Sequence, residues 1–390
     1  MMKLLLCSEV FYPFGSGGEL ATYLWTRLLS RYMRITLVTA KISKDVVVEL
    51  KTLGVEVVLL RDINVDSRIR FWLSLKGLYD YLRSLILDHD IILIPRLSYP
   101  LIPAAKREGR PVIVHLHDYV AVDPSGIVLA PHLRYSMIDV LGVRNYIRRL
   151  LAIPMWRNII KYLNIVNGVI FVSERQKDII CFRRPSLCKE YEVIHNPLPK
   201  INMTVSVSLP YNLDDIINHK EYVLFSGGFS KSKGFDVVKV LAKLFSKYGI
   251  MTIVTKANTF SYDKNLNMLS IPKLNHNEYL LLLRRAKALL HPSVYEEPLP
   301  YAILEALIMN IPVITTDVGG IPEILGKEYP IYIHNISDIH HLKEIVEKFI
   351  KNINNILNYI KYRRRLIEEV WNDNTLVNAF ISTLKKHSSG

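Results

Sequence analysis

Residues 291–323, HPSVYEEPLPYAILEALIMNIPVITTDVGGIPE, decide how this chain is read. Glu297 stands eight residues before Glu305, with a proline-bearing loop between them and an apolar helix running on from it. A buried-strand pattern, PVITT, follows, and then a Gly319-Gly320 turn leading into Pro322-Glu323. Strand, loop, helix and continuous apolar strand in succession are the units of a parallel α/β sheet covered on both faces. Ionised carboxylates at the mouth of such a unit accept several hydroxyl hydrogen bonds each. Glycines ahead of a helix start let backbone N–H groups approach phosphate. Hydroxyl binding beside phosphate binding points to a nucleotide sugar.

The same alternation extends in both directions. Strands are predicted at 3–8, 35–39, 55–59, 91–94, 112–115, 169–172 and 192–194, with helical stretches such as 20–32 and 71–87 between them. HNPLP at 195–199 breaks the pattern, and the polar residues 200–220 read as an irregular linker. A second series begins at Glu221, with YVLFS, MTIVT and strands at 288–291, 313–316 and 331–333. The fold class is therefore α/β, with two doubly wound, Rossmann-like domains. The domain at 1–199 and the domain at 221–360 flank the linker, and a charged helical tail at 361–390 is compatible with a return to the first domain. Such twin domains are expected to face a ligand across a cleft at the carboxyl ends of their strands.

Composition narrows the class. The 390 residues are half hydrophobic and 22% charged, with no apolar run of the length that spans a bilayer. The opening MMKLLLCSEV is too short for a secretory signal and is interrupted by Glu9. Cys7, Cys181 and Cys188 have no metal spacing and read as three free thiols in a reducing compartment, so a cytoplasmic location is expected. The net charge of +14 is concentrated in residues 1–200 and favours anionic partners such as acidic headgroups or phosphorylated carriers; a solubilising surface explains it equally well. No nucleic-acid recognition module is visible, and no nucleic-acid partner is expected.

Four further segments carry chemistry. FGSGG at 14–18 follows the first strand and precedes a helix expected from Glu19, so Gly17 and Gly18 permit close approach to a ligand; a plain turn fits as well. SGGFSKSKG at 226–234 repeats this arrangement. Lys233 sits near a helix start, an unfavourable place for a cation unless an anion intervenes, which suggests a diphosphate. VHLHD at 114–118 ends a buried strand and puts His115 and His117 on one face, where they serve as a hydrogen-bond donor to substrate, a metal pair or core histidines. Residues 144–161 interleave Arg144, Arg148, Arg149, Arg157 and Lys161 with Trp156, as suits an anionic membrane surface or the solvated face of an ordinary helix. Pro154 is expected to divide that helix.

Taken together, these segments resemble the retaining glycosyltransferases of the GT-B fold, specifically glycosyltransferase family 4. The likeness is carried by the Glu297–Glu305 pair, PVITTDVGGIPEI, FYPFGSGG, His117-Asp118, FVSE at 171–174 and HNPLP, and spans nearly the whole chain. It implies a nucleotide-diphosphate sugar (UDP- or GDP-linked) held by the C-terminal domain. The acceptor, a glycan, lipid-linked or other hydroxyl compound, would be held by the N-terminal one. Lys233 would neutralise the diphosphate, Glu297 would lie near the donor sugar and Glu305 would hold the ribose hydroxyls. Leu299, Pro300 and Tyr301 would line the sugar and phosphate through their backbones. His117 would meet the sugar near the reacting carbon, Asp118 would face the acceptor, and Gly17, Gly18, Gly227 and Gly228 would approach the diphosphate.

No metal or other cofactor is implied. Three departures stand out: Gly228 replaces an arginine usual in the family, Pro300 replaces a glycine, and Asn310 replaces another glycine at a place where asparagine tolerates left-handed backbone. The missing arginine keeps two alternatives open, a weak or inactive nucleotide-sugar or glycan binder and a GT-B hydrolysing epimerase. The basic first half adds a peripheral position at the inner membrane face.

Overall fold

The computed structural model describes residues 1–60, 63, 65, 68–201, 209–211 and 213–388. The chain divides into two compact units. Unit 1 comprises Met1–Ile127, Arg149–Leu198 and Trp371–Gly390; unit 2 comprises Val128–Arg148 and Pro199–Val370.

Unit 1 is built on a sheet of β1 Lys3–Cys7, β2 Arg34–Thr39, β3 Glu56–Leu59, β4 Ile91–Ile94, β5 Val112–Leu116, β6 Gly168–Phe171 and β7 Tyr191–Val193. Its strand order is β3-β2-β1-β4-β5-β6-β7, and every pairing is parallel. The central strands are apolar along their length because helices cover both faces; Leu4, Ile91, Ile92, Val112, Ile113 and Ile170 are buried. The order reverses between β1 and β4, the place where doubly wound sheets open a crevice at their carboxyl ends. The last helix, Asp373–Ser388, packs on the first, Gly17–Leu29, with the Trp25 and Phe380 ring centroids 4.4 Å apart.

Unit 2 repeats the plan with β8 Tyr222–Phe225, β9 Met251–Val254, β10 Ser261–Asp263, β11 Met268–Ser270, β12 Ala288–His291, β13 Val313–Thr316 and β14 Tyr332–Ile333. The order is β10-β11-β9-β8-β12-β13-β14, with only the edge strand β10 antiparallel among the described residues. Here the reversal falls between β8 and β12. The loops after β8, β9, β12 and β13 all leave the same end of the sheet because these strands run parallel.

The structure corrects several sequence expectations. β10 and β11 were not expected: three exposed polar residues and a three-residue apolar run carry no strand signal of their own. The helix expected over 71–87 is two, Arg68–Gly77 and Tyr79–Asp88, because glycine at 77 weakens the turn there. Within the stretch expected to be irregular, Leu213–His219 is helical; residues 202–208 and 212 lie outside the described ones. Cys181 and Cys188 are joined in a disulfide, which corrects the expectation of three free thiols. The end of helix Glu174–Arg183 and the turn Pro185–Cys188 bring their Cα atoms to 5.7 Å, within bridging range. The cysteine count therefore no longer argues for a reducing compartment. As expected, the chain around Pro154 is divided into separate helices, Met137–Leu151 and Ile153–Leu163.

Candidate active site

In unit 2 the reversal between β8 and β12 brings two loops together. The first runs from Ser226 to Gly234 and feeds helix Phe235–Ser246. The second runs from Pro292 to Pro300 and feeds helix Tyr301–Ile308. They are laced by hydrogen bonds to Ser232 O, from Val294 N–H at 3.0 Å and from the Ser293 hydroxyl at 3.3 Å. Gly234 is in the left-handed region (φ +84°), and a β-carbon there would run into the Pro292 carbonyl, so only glycine lets the loops close this far.

The lacing delivers four side chains to one point. Lys233 Nζ lies 2.6 Å from Glu297 Oε1 and donates to the Tyr295 hydroxyl at 2.8 Å. Tyr295 in turn donates to Glu297 Oε2 at 2.8 Å, and His291 Nε2 lies 3.2 Å from Glu297 Oε1. Glu297 is 3% exposed. Burial opposes its ionisation, but the Lys233 charge and His291 outweigh that and hold its pKa well below the ordinary carboxylate range. Burial likewise opposes the Lys233 charge, and Glu297 with Tyr295 reverses this and raises its pKa. The result is a charged pair at the carboxyl end of a parallel sheet.

The Gly319-Gly320 turn supports this carboxylate. Gly319 N–H donates to Glu296 Oε2 at 2.6 Å, and Gly320 N–H donates to the Glu297 carbonyl at 2.7 Å. Gly319 has φ +58°, and a β-carbon on it would strike the Glu297 backbone. These N–H groups were expected to lie open to phosphate; they hold the glutamate loop instead. The first N–H groups of helix Tyr301–Ile308 remain without acceptors within the helix, as at any helix start, and face the same end of the sheet. Leu299, Pro300 and Tyr301, at the start of that helix, are buried. Glu305, buried on that helix, has Oε1 2.7 Å from His276 Nε2. Gly227 packs against Lys233 and Gly228 against Lys256. Asn310 takes the left-handed conformation (φ +59°) that glycine would supply.

In unit 1, Gly17 and Gly18 open the first helix, which starts two residues earlier than expected because Ser16 caps it: the Glu19 carboxylate accepts from the Ser16 N–H at 2.6 Å. Gly18 lies against His117, whose Cβ would be 3.3 Å from a β-carbon at 18. Arg96, from the loop after β4, pairs with buried Glu19 and with Glu9 at 3.4 Å. His115 and His117 do share a face, their ring centroids 4.2 Å apart, and the Nε2 atom of each is buried without a hydrogen-bond partner among the described residues. Burial drives both to the neutral form, His115 down to about 3 and His117 well below its ordinary value, the latter also under the influence of His115 and Arg96. Asp118 turns its carboxylate back to accept from Val120 N–H at 2.9 Å.

Of the residues named from sequence, Lys233 and Glu297 meet in the unit 2 cluster, Glu305 lies on the helix that follows its second loop and His117 lies in unit 1; Tyr295, His291, Glu296, His276 and Arg96 were not named. A tyrosine two residues before a glutamate is a usable signal once a strand–loop–helix is assigned. Arg96 had none, since its partners are 77 and 87 residues away.

Comparison with known proteins agrees with this layout. Residues 215–370 match the family model described as glycosyl transferases group 1. No protein with a curated description matches the chain. Among solved structures, HepE of Anabaena in complex with UDP and glucose is similar at 16% identity and TM-score 0.67, over 99% of this chain and 100% of that one. The sucrose-phosphate synthase of Thermosynechococcus elongatus is similar at 14% identity and TM-score 0.71, over 99% of each chain. A glycosyltransferase from Rickettsia africae is similar at 12% identity and TM-score 0.65, over 99% of this chain and 98% of that one. The two doubly wound sheets and these likenesses show the GT-B fold.

Proposed function

We propose that the protein is a glycosyltransferase that moves a hexosyl unit, with retention at the anomeric carbon, from a nucleotide-diphosphate sugar to a hydroxyl acceptor. The observation that carries this is the Lys233–Tyr295–Glu297–His291 cluster, placed where a doubly wound sheet reverses its order. The match of residues 215–370 to group 1 glycosyl transferases covers the whole cluster. The UDP and glucose of the similar HepE complex make UDP-glucose the first donor to test, with GDP-sugars next.

In this reading Lys233 and the helix-start N–H groups stabilise the departing diphosphate. The acceptor hydroxyl attacks the anomeric carbon on the face the diphosphate leaves, the bond from that carbon to the phosphate oxygen breaks, and the hydroxyl proton passes to the departing phosphate. Glu297 orients Lys233 and the sugar hydroxyls, Glu305 takes the ribose, His117 donates to the sugar as a neutral imidazole, and Asp118 serves the acceptor. No metal or other cofactor enters this scheme. The test is a donor panel scored by turnover and by the anomeric configuration of the product. Glu297→Ala should abolish transfer in a folded protein; near-wild-type turnover would overturn the assignment.

A second reading, a nucleotide-sugar binder without turnover, is favoured by the charge balance: Glu297 already neutralises Lys233. Tight donor binding with no product across glycan and lipid-linked acceptors would decide for it. A hydrolysing epimerase would instead release an altered sugar with no acceptor present.

The acceptor is proposed to be lipid-linked and met at an anionic membrane surface on the cytoplasmic side. Supporting this, Val143, Ile147, Leu150 and Leu151 are exposed at helical spacing beside Arg144 and Arg148. Among the described residues no helix is long and apolar enough to cross a membrane. Absence of flotation with anionic vesicles at low salt would remove the membrane from the proposal.

A further inference from the structure

Residues Val128–Arg148 belong to unit 2, although the chain on either side of them, Met1–Ile127 and Arg149–Leu198, belongs to unit 1. The beginning of this segment shows what it does in unit 2. Glu296 N–H donates to the Val128 carbonyl at 2.8 Å, and Ala130 N–H donates to the Val294 carbonyl at 3.2 Å. Leu129 pairs with Tyr295 in antiparallel fashion between these two bonds. Residues 128–130 therefore lie as a short added strand along the loop that carries Tyr295 and Glu297. The same loop is tied to the preceding one through Val294 N–H and the Ser232 carbonyl, so its backbone is held by two separate segments.

The segment then reaches the neighbouring strands. In the turn Pro131–Leu133, His132 Nε2 lies 3.5 Å from Asp317 Oδ1, in the loop after β13. That oxygen is buried and accepts no hydrogen bond among the described residues, so the imidazole is the donor placed to satisfy it. The other carboxylate oxygen has His334 Nδ1 at 3.1 Å, from the residue after β14. Asp317 stands two residues before Gly319, whose N–H holds the Glu296 carboxylate. Further on, burial raises the pKa of the Tyr135 hydroxyl, and the Asp236 carboxylate is near enough to add to the rise. Asp236 lies in the first turn of the helix that follows Lys233. Residues 128–135 thus touch the chain beyond β8, β12 and β13 in turn.

These contacts differ from an incidental surface packing. Val128, Ala130, Val294 and Glu296 are all buried, so a backbone group left unpaired there would carry its full desolvation cost. The glutamate loop lies between β12 and the helix Tyr301–Ile308, and a loop keeps its side chains in one geometry only when packed neighbours hold its backbone. The bonds among Lys233, Tyr295 and Glu297 fix those side chains relative to one another. Residues 128–135 fix the loop itself against the strands on both sides.

We infer that residues 128–135 are a strap that positions the glutamate loop, with His132 on Asp317 as its anchor. His132 is then a positioning residue for the reaction proposed above, and this consequence rests on that reading. It acts at a distance: through Asp317 on the Gly319 turn, and through the strap on the backbone that carries Glu297. Loss of the anchor should therefore lower the rate of turnover more than the affinity for the donor, because alignment suffers while the binding groups remain.

The experiment follows amide hydrogen exchange at residues 294–297 of the full chain in wild type, His132→Ala, His132→Gln and Ala130→Pro. It is paired with urea melts and with release of the nucleotide from UDP-glucose or from the GDP-sugar that the donor panel selects. Ala130 has φ −72°, which suits proline, so Ala130→Pro removes the N–H that bonds Val294 without straining that angle. The Glu296 amide should exchange about fivefold or more faster in His132→Ala and Ala130→Pro, the worth of one hydrogen bond. In both variants kcat should fall about tenfold or more while KM stays within about threefold. His132→Gln should return both readings to within about twofold of wild type, because its amide nitrogen can still donate to Asp317. The His132 side chain is 45% exposed, so the urea midpoint of His132→Ala should stay close to that of wild type. Unchanged exchange at Glu296 in both His132→Ala and Ala130→Pro overturns the strap and leaves the transfer reading standing. Faster exchange with unchanged turnover overturns the positioning role. A wild type that turns over no donor of the panel overturns the transfer reading and the role of His132 in it, while exchange at Glu296 still decides the strap.

Discussion

The Lys233 ammonium stands 2.6 Å from Glu297 Oε1, and this one contact joins the loop after β8 to the loop after β12. Sequence reasoning assigned the two residues to different portions of a donor, the lysine to phosphate and the glutamate to sugar. The structure couples them, so neither can be changed without altering the charge of the other.

That coupling makes the two deletions unequal. Lys233→Met should leave Glu297 buried without its cation and destabilise the protein by about 3 kcal/mol or more. Glu297→Gln should cost about 1 kcal/mol, because the amide oxygen can still accept from Lys233 even though the amide NH2 cannot accept from Tyr295. Urea melts give the stabilities, and equal losses in the two variants would contradict the pairing. Both variants should lose transfer activity by about a thousandfold, as expected of groups that act on developing charge.

Tyr295 bridges the pair through its hydroxyl. Tyr295→Phe should destabilise by about 1–2 kcal/mol. In a double-mutant cycle with Glu297→Gln the two effects should be non-additive, because one hydrogen-bonded network is being cut twice. Strict additivity would show that the hydroxyl and the carboxylate act separately.

Gly319→Ala tests the support beneath the carboxylate. The position needs φ +58° and has the Glu297 backbone where a β-carbon would go. The substitution should cost about 2–4 kcal/mol and lower activity through displacement of Glu297. Gly249→Ala is the control: its φ is +72°, but nothing lies within 4 Å of an added β-carbon. It should cost about 1 kcal/mol and leave activity unchanged.

The pH dependence follows from the signs of the shifts. Glu297 is held below its ordinary value of 4.5, so its contribution is complete above that pH and is lost as acid titrates the folded form. Lys233 is raised above 10.5, so its contribution is complete below that pH and is lost only in stronger base. The pair itself should therefore be silent between about pH 5.5 and 9.5. His115 behaves differently. Its pKa falls from 6.5 to about 3, so the unfolded chain binds the extra proton between these values and stability falls as pH drops below 6.5. The slope should be about 1.4 kcal/mol per pH unit for one such histidine. His115→Leu should flatten the acid limb measured by chemical denaturation from pH 7 to 4; an unchanged limb would mean that His115 is not the group that titrates.

The strands were legible where buried apolar residues ran continuously: β4, β12 and β13 lie at the expected residues, and the other expected strands shift by one or two. β10 and β11 were not, because their pairing depends on β9 rather than on their own composition. The glutamate pair and Lys233 were legible because residue type and spacing relative to a strand–loop–helix are local properties. The partners of Glu297 were not, since Lys233 is 64 residues away and meets it only where parallel strands β8 and β12 lie side by side.

The amino-acid sequence by itself determined the alternation of strands and helices, the glycines at the turns and the carboxylates at the strand ends, all of which follow from periodicity, backbone freedom and charge within a few residues. Tertiary structure alone decided that Lys233 pairs with Glu297 and that the Gly319-Gly320 N–H groups bind the glutamate loop rather than stand open. The reason is topological: a doubly wound parallel sheet gathers the carboxyl ends of strands far apart in the chain, and which side chains meet there is set by strand order, which no local pattern encodes.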